Sequence, residues 1–265
     1  VERGPNVPAG KLTSQEIYSS ILDDERDFTL YVPASYREKG PPSGLLVIFD
    51  GQNNTRLIPA PAILDNLIAQ GRIPPLIAVM VASNGKHRTI SRTSDLTCNP
   101  DFADFIVKEL VPWVRARYNV TTAPNHAIVC GESLGGLEAT YIGFRYPDVF
   151  GNVLSFSGSF FYFLGWPAIE ANYTTQTGWL TTQFATTPRK PLRLYLTTGT
   201  FEGDGLTENR RMRDVLIARG YPITYSEYNG GHDQFCWRGL LASGLLALVG
   251  DHVHSARRLS ATRAR

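Results

Sequence analysis

Five short apolar runs recur along the chain: Leu45–Phe49, Leu76–Ala82, His126–Cys130, Val153–Phe156 and Leu192–Leu196. They are too short for core helices and too uniformly apolar for half-exposed strands. They therefore read as strands buried on both faces, the pattern of a parallel sheet. Between them, Ala60–Gln70, Asp101–Arg117, Leu134–Tyr146 and Thr207–Arg219 carry apolar residues at helical spacing. Alternating strand and helix predicts an α/β sheet with helices on both faces. Arg26–Pro33 differs, because it alternates polar and apolar residues as an antiparallel strand opening a mixed sheet would. Asn99-Pro100-Asp101 reads as a helix start, a capping side chain followed by proline in the first turn.

No linker, repeat or low-complexity stretch divides the 265 residues. The expected organisation is an N-terminal extension over 1–25, one domain over 26–254, and a basic tail over 255–265. A hydrophobic content of 43% supplies a sizeable core. The net charge of +2 is too small for the footprint of a nucleic-acid binder. No apolar run approaches the ~18 residues of a membrane helix. Three cysteines without CxxC spacing suggest neither a disulfide scaffold nor a zinc site, and no metal or cofactor is expected. A cytoplasmic location is the expectation, with the periplasm or secretion left open because the chain begins at Val1.

Gly131-Glu132-Ser133-Leu134-Gly135 is G-x-S-x-G, set between the apolar run His126–Cys130 and a helical segment. A sharp strand-to-helix turn there would expose the Ser133 hydroxyl at the mouth of the sheet, beside the positive end of the helix. A serine hydroxyl needs a base, and the base an orienting acid, in the chain order Ser, acid, His. His87 and His126 precede Ser133, and His252 and His254 lie in a polar C-terminal stretch. His232 remains, in a Gly-rich loop after the strand-like Ile223–Tyr228. The acid should follow Leu192–Leu196, where Glu202 and Asp204 both qualify by position. Oxyanion donors would be the N–H of Leu134 and one from the loop after Phe49, at Gly51 or Gln52. The aromatic stretch Phe156–Trp166 follows a core strand at the end where α/β sheets bind ligands. Phe160 and Trp166 are its candidate pocket residues, with Arg92 and Arg238 supplying positive charge.

Further motifs surround these residues. They are Asp50-Gly51-Gln52, the segment Arg92 to Phe102 containing Asp95, Cys98 and Asn99, Glu109 to Pro112, Phe150–Ser159, and Gly230–Gly239 with its Cys236-Trp237-Arg238-Gly239. Together with the serine turn they resemble the enterobactin esterase group of the putative esterase family of α/β-hydrolases, over roughly residues 26–250. The resemblance implies an α/β-hydrolase fold, with a mostly parallel sheet, antiparallel N-terminal strands and helices on both faces. Its G-x-x-E turn matches Gly199 to Glu202, so it favours Glu202 as the acid and keeps Asp204 as the alternate. It also adds Trp237 to the candidate substrate-binding residues. Asp95 and Glu132 depart from the group's more usual Glu and Gln. The implied function is serine esterase action on a catecholate siderophore, free or ferric, cyclic or linear, with a small-molecule ester as partner and no stated oligomeric state. The alternative is a general carboxylesterase, feruloyl esterase or acyltransferase on the same scaffold. Cys98 and Cys236 both lie in these motifs, and either a disulfide or two free thiols fits them.

Overall fold

The structure is a computed structural model and describes residues 2–55, 57–86, 92–164 and 178–250. Eight strands form one sheet: β1 (Lys11–Ser19), β2 (Asp24–Val32), β3 (Gly44–Ile48), β4 (Leu76–Val81), β5 (Ala127–Glu132), β6 (Asn152–Phe156), β7 (Arg193–Gly199) and β8 (Ile223–Tyr228). Their spatial order is β1-β2-β4-β3-β5-β6-β7-β8. β1 and β2 are antiparallel, β2 joins β4 antiparallel, and every pair from β4 to β8 is parallel. The parallel strands are those expected from the apolar runs, and the antiparallel start gives the α/β-hydrolase arrangement that the resemblance implies.

The runs are apolar throughout because both of their faces are covered. Leu45 and Val47 of β3 pack with Phe102, Phe105, Leu137 and Phe184 on one side. Their neighbours Leu46 and Ile48 pack with Ile63, Leu64, Leu241 and Leu245 on the other. Alternate strand residues thus feed two cores, as the two-residue side-chain period requires. Helices α1 (Ala60–Ala69) and α9 (Leu240–Leu245) cover the second face. α3 (Pro100–Phe105), α5 (Leu134–Arg145), α6 (Trp179–Thr186) and α7 (Asp204–Ala218) contribute to the first. The Asn99 side chain accepts from the N–H groups of Asp101 (2.9 Å) and Phe102 (3.2 Å), the cap read from the sequence. The helix then passes through a π-helical turn, Ile106–Leu110, before α4 (Val111–Arg115). The wider turn precedes Pro112, which has no N–H to offer a regular helix.

One expectation changes, and one open alternative closes. The sheet does not begin near Arg26, because β1 lies within the stretch set aside as an extension. Every residue of β1 except Ser19 is exposed or half-buried, so no apolar alternation marks it. All three cysteines are free thiols, and Cys98 and Cys236 are not bridged.

A buried ionic cluster links β2 to the short helix α2 (Arg92–Asp95), which carries a residue of the site: Arg26 lies between Asp95 and Asp24, whose carboxylate is 3.8 Å from its Nε. Arg26 is fully buried, and its guanidinium donates to Asp95 at 2.5 Å, with Asp95 1% exposed. Removing one partner strands a buried charge, whereas replacing both with apolar groups need not. Asp95→Asn is therefore expected to lower unfolding free energy by about 3–5 kcal/mol. An Asp24→Leu/Arg26→Met/Asp95→Leu triple variant, which removes the buried cation together with both of its carboxylates, should lose clearly less. Urea unfolding of the three proteins measures this, and equal losses would contradict it.

Candidate active site

β5 turns into α5 at Ser133, whose backbone takes φ 58° and ψ −122°. That is a strained region for a residue with a side chain. The turn closes only because Gly131 has no Cβ, since one built there would lie 2.4 Å from the carbonyl carbon of Gly135. The conformation is held from β6 and the loop after it. Ser133 N–H donates to Phe156 O (2.9 Å), and Ser159 N–H donates to Ser133 O (3.1 Å).

Three side chains selected from the sequence meet in one line. His232 Nδ1 lies 2.8 Å from Glu202 Oε2, and His232 Nε2 lies 2.8 Å from Ser133 Oγ. With Nδ1–H donating to the carboxylate, Nε2 is left to accept the serine proton. Glu202 is held at its other oxygen, where Oε1 accepts from Gly199 N–H (2.6 Å), the Ser157 hydroxyl (2.6 Å) and the Tyr228 hydroxyl (2.8 Å). Burial works to raise this carboxyl's pKa, but the hydrogen bonds from His232, Ser157, Gly199 and Tyr228 outweigh it and hold the pKa low. Glu202 therefore stays ionised while only 2% of its side chain is exposed. Asp204, the alternate acid, is exposed in the first turn of α7 and is not hydrogen-bonded to His232.

Ser157 and Tyr228 were not anticipated as partners of the acid. The only sequence signal for Ser157 was its place in Phe150–Ser159, and Tyr228 merely ended the strand-like Ile223–Tyr228, since neither has a residue type or spacing that announces a role. Trp237 was expected to bind substrate, but it is tied into the same network. Its indole N–H lies 2.9 Å from both Ser157 Oγ and Tyr228 OH, and its ring stands edge-on to His232 at 4.9 Å.

A cavity of about 230 Å³ opens at Ser133 and His232, lined also by Asp50, Asn53, Arg92, Glu132, Gln234 and Trp237. Arg92 borders it as expected, but its charge is taken: Nε and an NH₂ group donate to the two Asp50 oxygens at 2.7 and 2.6 Å. Burial and the Asp50 carboxylate push the Glu132 carboxyl up to about 8, with Arg92 opposing them.

The remaining expected residues divide. Leu134 opens α5, where a helix leaves its first N–H groups without intrahelical partners. Gly51 N–H is occupied by Val81 O at 2.8 Å, so it is not a free donor. Gln52 N–H makes no such backbone bond among the described residues. Phe160 is 1% exposed in the core, Arg238 caps α8 (Gln234–Trp237), and neither is among the cavity residues. Trp166 lies outside the described residues. Exposed aromatic surface beside the site comes instead from Phe201 and Phe235, 74% and 75% exposed, next to Glu202 and three residues after His232.

The chain matches the putative esterase family over residues 19–248. It is 31% identical to the iron(III) enterobactin esterase of Dickeya dadantii, over 97% of this chain and 60% of that protein. The ferric enterobactin esterase structure from Salmonella typhimurium superimposes with a TM-score of 0.82 at 29% identity, covering 96% of this chain and 61% of the other. A ferulic acid esterase shares the fold, with a TM-score of 0.77 at 19% identity over 91% of this chain and 98% of its own. The chain thus spans about 60% of the length of the first curated relative it matches. A match across nearly the whole sheet, from the end of β1 to the helix after His232, establishes that this chain belongs to the putative esterase family of α/β-hydrolases, with enterobactin esterases among its relatives.

Proposed function

We propose that the chain is a serine esterase that hydrolyses the ester bonds of a catecholate siderophore through an acyl-enzyme. The observation that carries this reading is the unbroken hydrogen-bonded line from Ser133 Oγ through His232 to buried, ionised Glu202. Ser133 Oγ attacks the ester carbonyl as His232 Nε2 takes its proton. Glu202 holds the ring in that tautomer and stabilises the imidazolium. The N–H groups of Leu134 and Gln52 receive the oxyanion. His232 returns the proton to the departing alkoxide. It then activates a water that releases the acid and restores Ser133.

The siderophore class draws on similarity to the enterobactin esterases and on the exposed rings of Phe201 and Phe235, near Glu202 and His232 in sequence, which suit a catechol. A second reading, an esterase for neutral aryl esters such as feruloyl esters, is favoured by one observation. Arg92, the expected cationic contact, is already neutralised by Asp50.

Ser133→Ala and His232→Ala are each expected to lower kcat by about 10⁴-fold or more, measured on a p-nitrophenyl ester. Glu202→Gln should impair turnover far more than Asp204→Asn, and the reverse ranking would move the acid to Asp204. Incubation with enterobactin, its ferric complex and a feruloyl ester, followed by chromatography, distinguishes the substrate classes. Cleavage of the feruloyl ester alone would replace the first reading with the second.

A further inference from the structure

We propose that Arg92 and Asp50 form a clamp that sets the two oxyanion donors in register: Arg92 ties the loop carrying Gln52 N–H to the turn carrying Leu134 N–H. The inference rests on the esterase reading of the Ser133 site, and Arg92 and Asp50 enter it as positioning residues that act through those donors.

The two donors belong to different segments. Gln52 lies in the loop after β3, and Leu134 opens α5 after β5. β3 and β5 are parallel neighbours whose register runs as far as Ile48 and Cys130, with Phe49 N–H donating to Cys130 O at 3.0 Å. Beyond that point the sheet ladder no longer sets the spacing of the two segments. An oxyanion hole nevertheless needs both donors within about 2.7–3.1 Å of one oxygen. Arg92 reaches both segments with one guanidinium. Its Nε–H and one hydrogen of an NH₂ group go to Asp50 Oδ1 (2.7 Å) and Oδ2 (2.6 Å). The second hydrogen of that same NH₂ group goes to Glu132 O at 3.3 Å. Asp50 precedes Gln52 by two residues, and Glu132 precedes Leu134 by two. The clamp thus grips each segment at the same short chain distance from its donor.

The parts of the clamp are themselves held. Asp50 is 2% exposed and takes φ 54°, a left-handed conformation that is costly for a residue with a side chain. Ser83 secures it reciprocally: the Ser83 hydroxyl donates to Asp50 Oδ1 (2.6 Å), and its oxygen accepts from Asp50 N–H (3.2 Å). Gly51 N–H donates to Val81 O (2.8 Å) and fastens the loop to β4. Asn53 N–H donates to Asp50 O (2.8 Å), which makes Gln52 a central residue of a closed turn that starts at Asp50. Arg92 opens α2, whose other end, Asp95, is buried against Arg26. A planar guanidinium with donors in a fixed fork carries position from one segment to the other in a way that a single ammonium does not. Slack in the clamp falls on oxyanion stabilisation, and hence on kcat rather than KM.

R92Q, D50N and the D50N/R92Q double variant test this on a neutral p-nitrophenyl ester. Each single variant should lose about tenfold to a hundredfold in kcat with KM little changed, because a misplaced donor weakens transition-state binding alone. Both changes break one clamp, so the double variant should lose about as much as either single one. Losses that multiply would overturn the inference. The double variant strands no buried carboxylate, and it carries the test where R92Q fails to fold. A trifluoromethyl ketone reads the oxyanion directly: Ser133 Oγ bonds to its carbonyl carbon, the serine proton passes to His232, and the carbonyl π pair becomes the oxyanion. Its Ki should rise in the double variant by the factor that kcat/KM falls, while the Ki of the matching methyl ketone, bound without addition, stays unchanged. A raised KM with kcat intact would make Arg92 a substrate contact, and a lowered Tm with kcat intact would leave it a role in folding only. Either result overturns the clamp. Wild type inactive on every ester would sink the esterase reading itself, whereas an active wild type with fully active variants would sink the clamp alone.

Discussion

The site depends on one close approach of backbone to backbone, where Gly131 passes Gly135 without room for a Cβ between them. This contact lets β5 turn into α5 within a single residue and forces Ser133 to φ 58°. Such a conformation costs of order 1–3 kcal/mol. It persists because Phe156 and Ser159 grip the Ser133 peptide on both sides. The position of the nucleophile is therefore set by the packing of β5 against β6, and not by contacts of its own hydroxyl. A side chain placed in this way needs no reorganisation to meet an ester carbonyl, and the same turn leaves the first N–H of α5 without an intrahelical partner.

Glu202 shows how a buried carboxylate is kept charged without a cation fixed beside it. Desolvation favours the protonated form, and four hydrogen-bond donors reverse that preference. Three of them fall on Oε1, which leaves Oε2 to His232. Trp237 braces the arrangement from behind by reaching two of those donors with one N–H while its ring limits the imidazole. The Cys-Trp-Arg-Gly stretch thus acquires a structural reason at Trp237. Its indole links the loop of the base to the network of the acid.

What the sequence made legible followed from periodicity and from local turn chemistry. Strands buried on both faces were visible as apolar runs, and the Ser133 turn and the Asn99 cap each rest on residues adjacent in sequence. β1 was not visible, because its half-covered face carries Thr13 and Gln15 beside Ile17 and so shows no hydrophobic period. Phe160 was misread for a related reason: composition places an aromatic ring near a strand end but does not say which way it points, and this one points into the core. Gly51 failed as a donor because its N–H is claimed by Val81, a partner 30 residues away in sequence. Choosing between Glu202 and Asp204 needed a resemblance, since both sit in one loop. The geometry separates them by hydrogen bonding to His232.

The local charge of the cavity illustrates the same point energetically. A near-neutral chain could still concentrate positive charge at one site, and Arg92 does border Ser133. Yet Asp50 occupies both guanidinium branches in a partly buried pair, where the interaction is screened less than at the surface. An anionic ligand drawing on Arg92 would have to displace Asp50 and leave that carboxylate, 2% exposed, beside Glu132 without its cation. Stranding a buried carboxylate without its cation is unfavourable, although the half-exposed Arg92 tempers the cost. A neutral aryl ester incurs no such cost. Among the described residues lining this cavity, Arg92 is therefore a strut for the Asp50 loop first, and discrimination by ligand charge is set by how firmly Asp50 holds it.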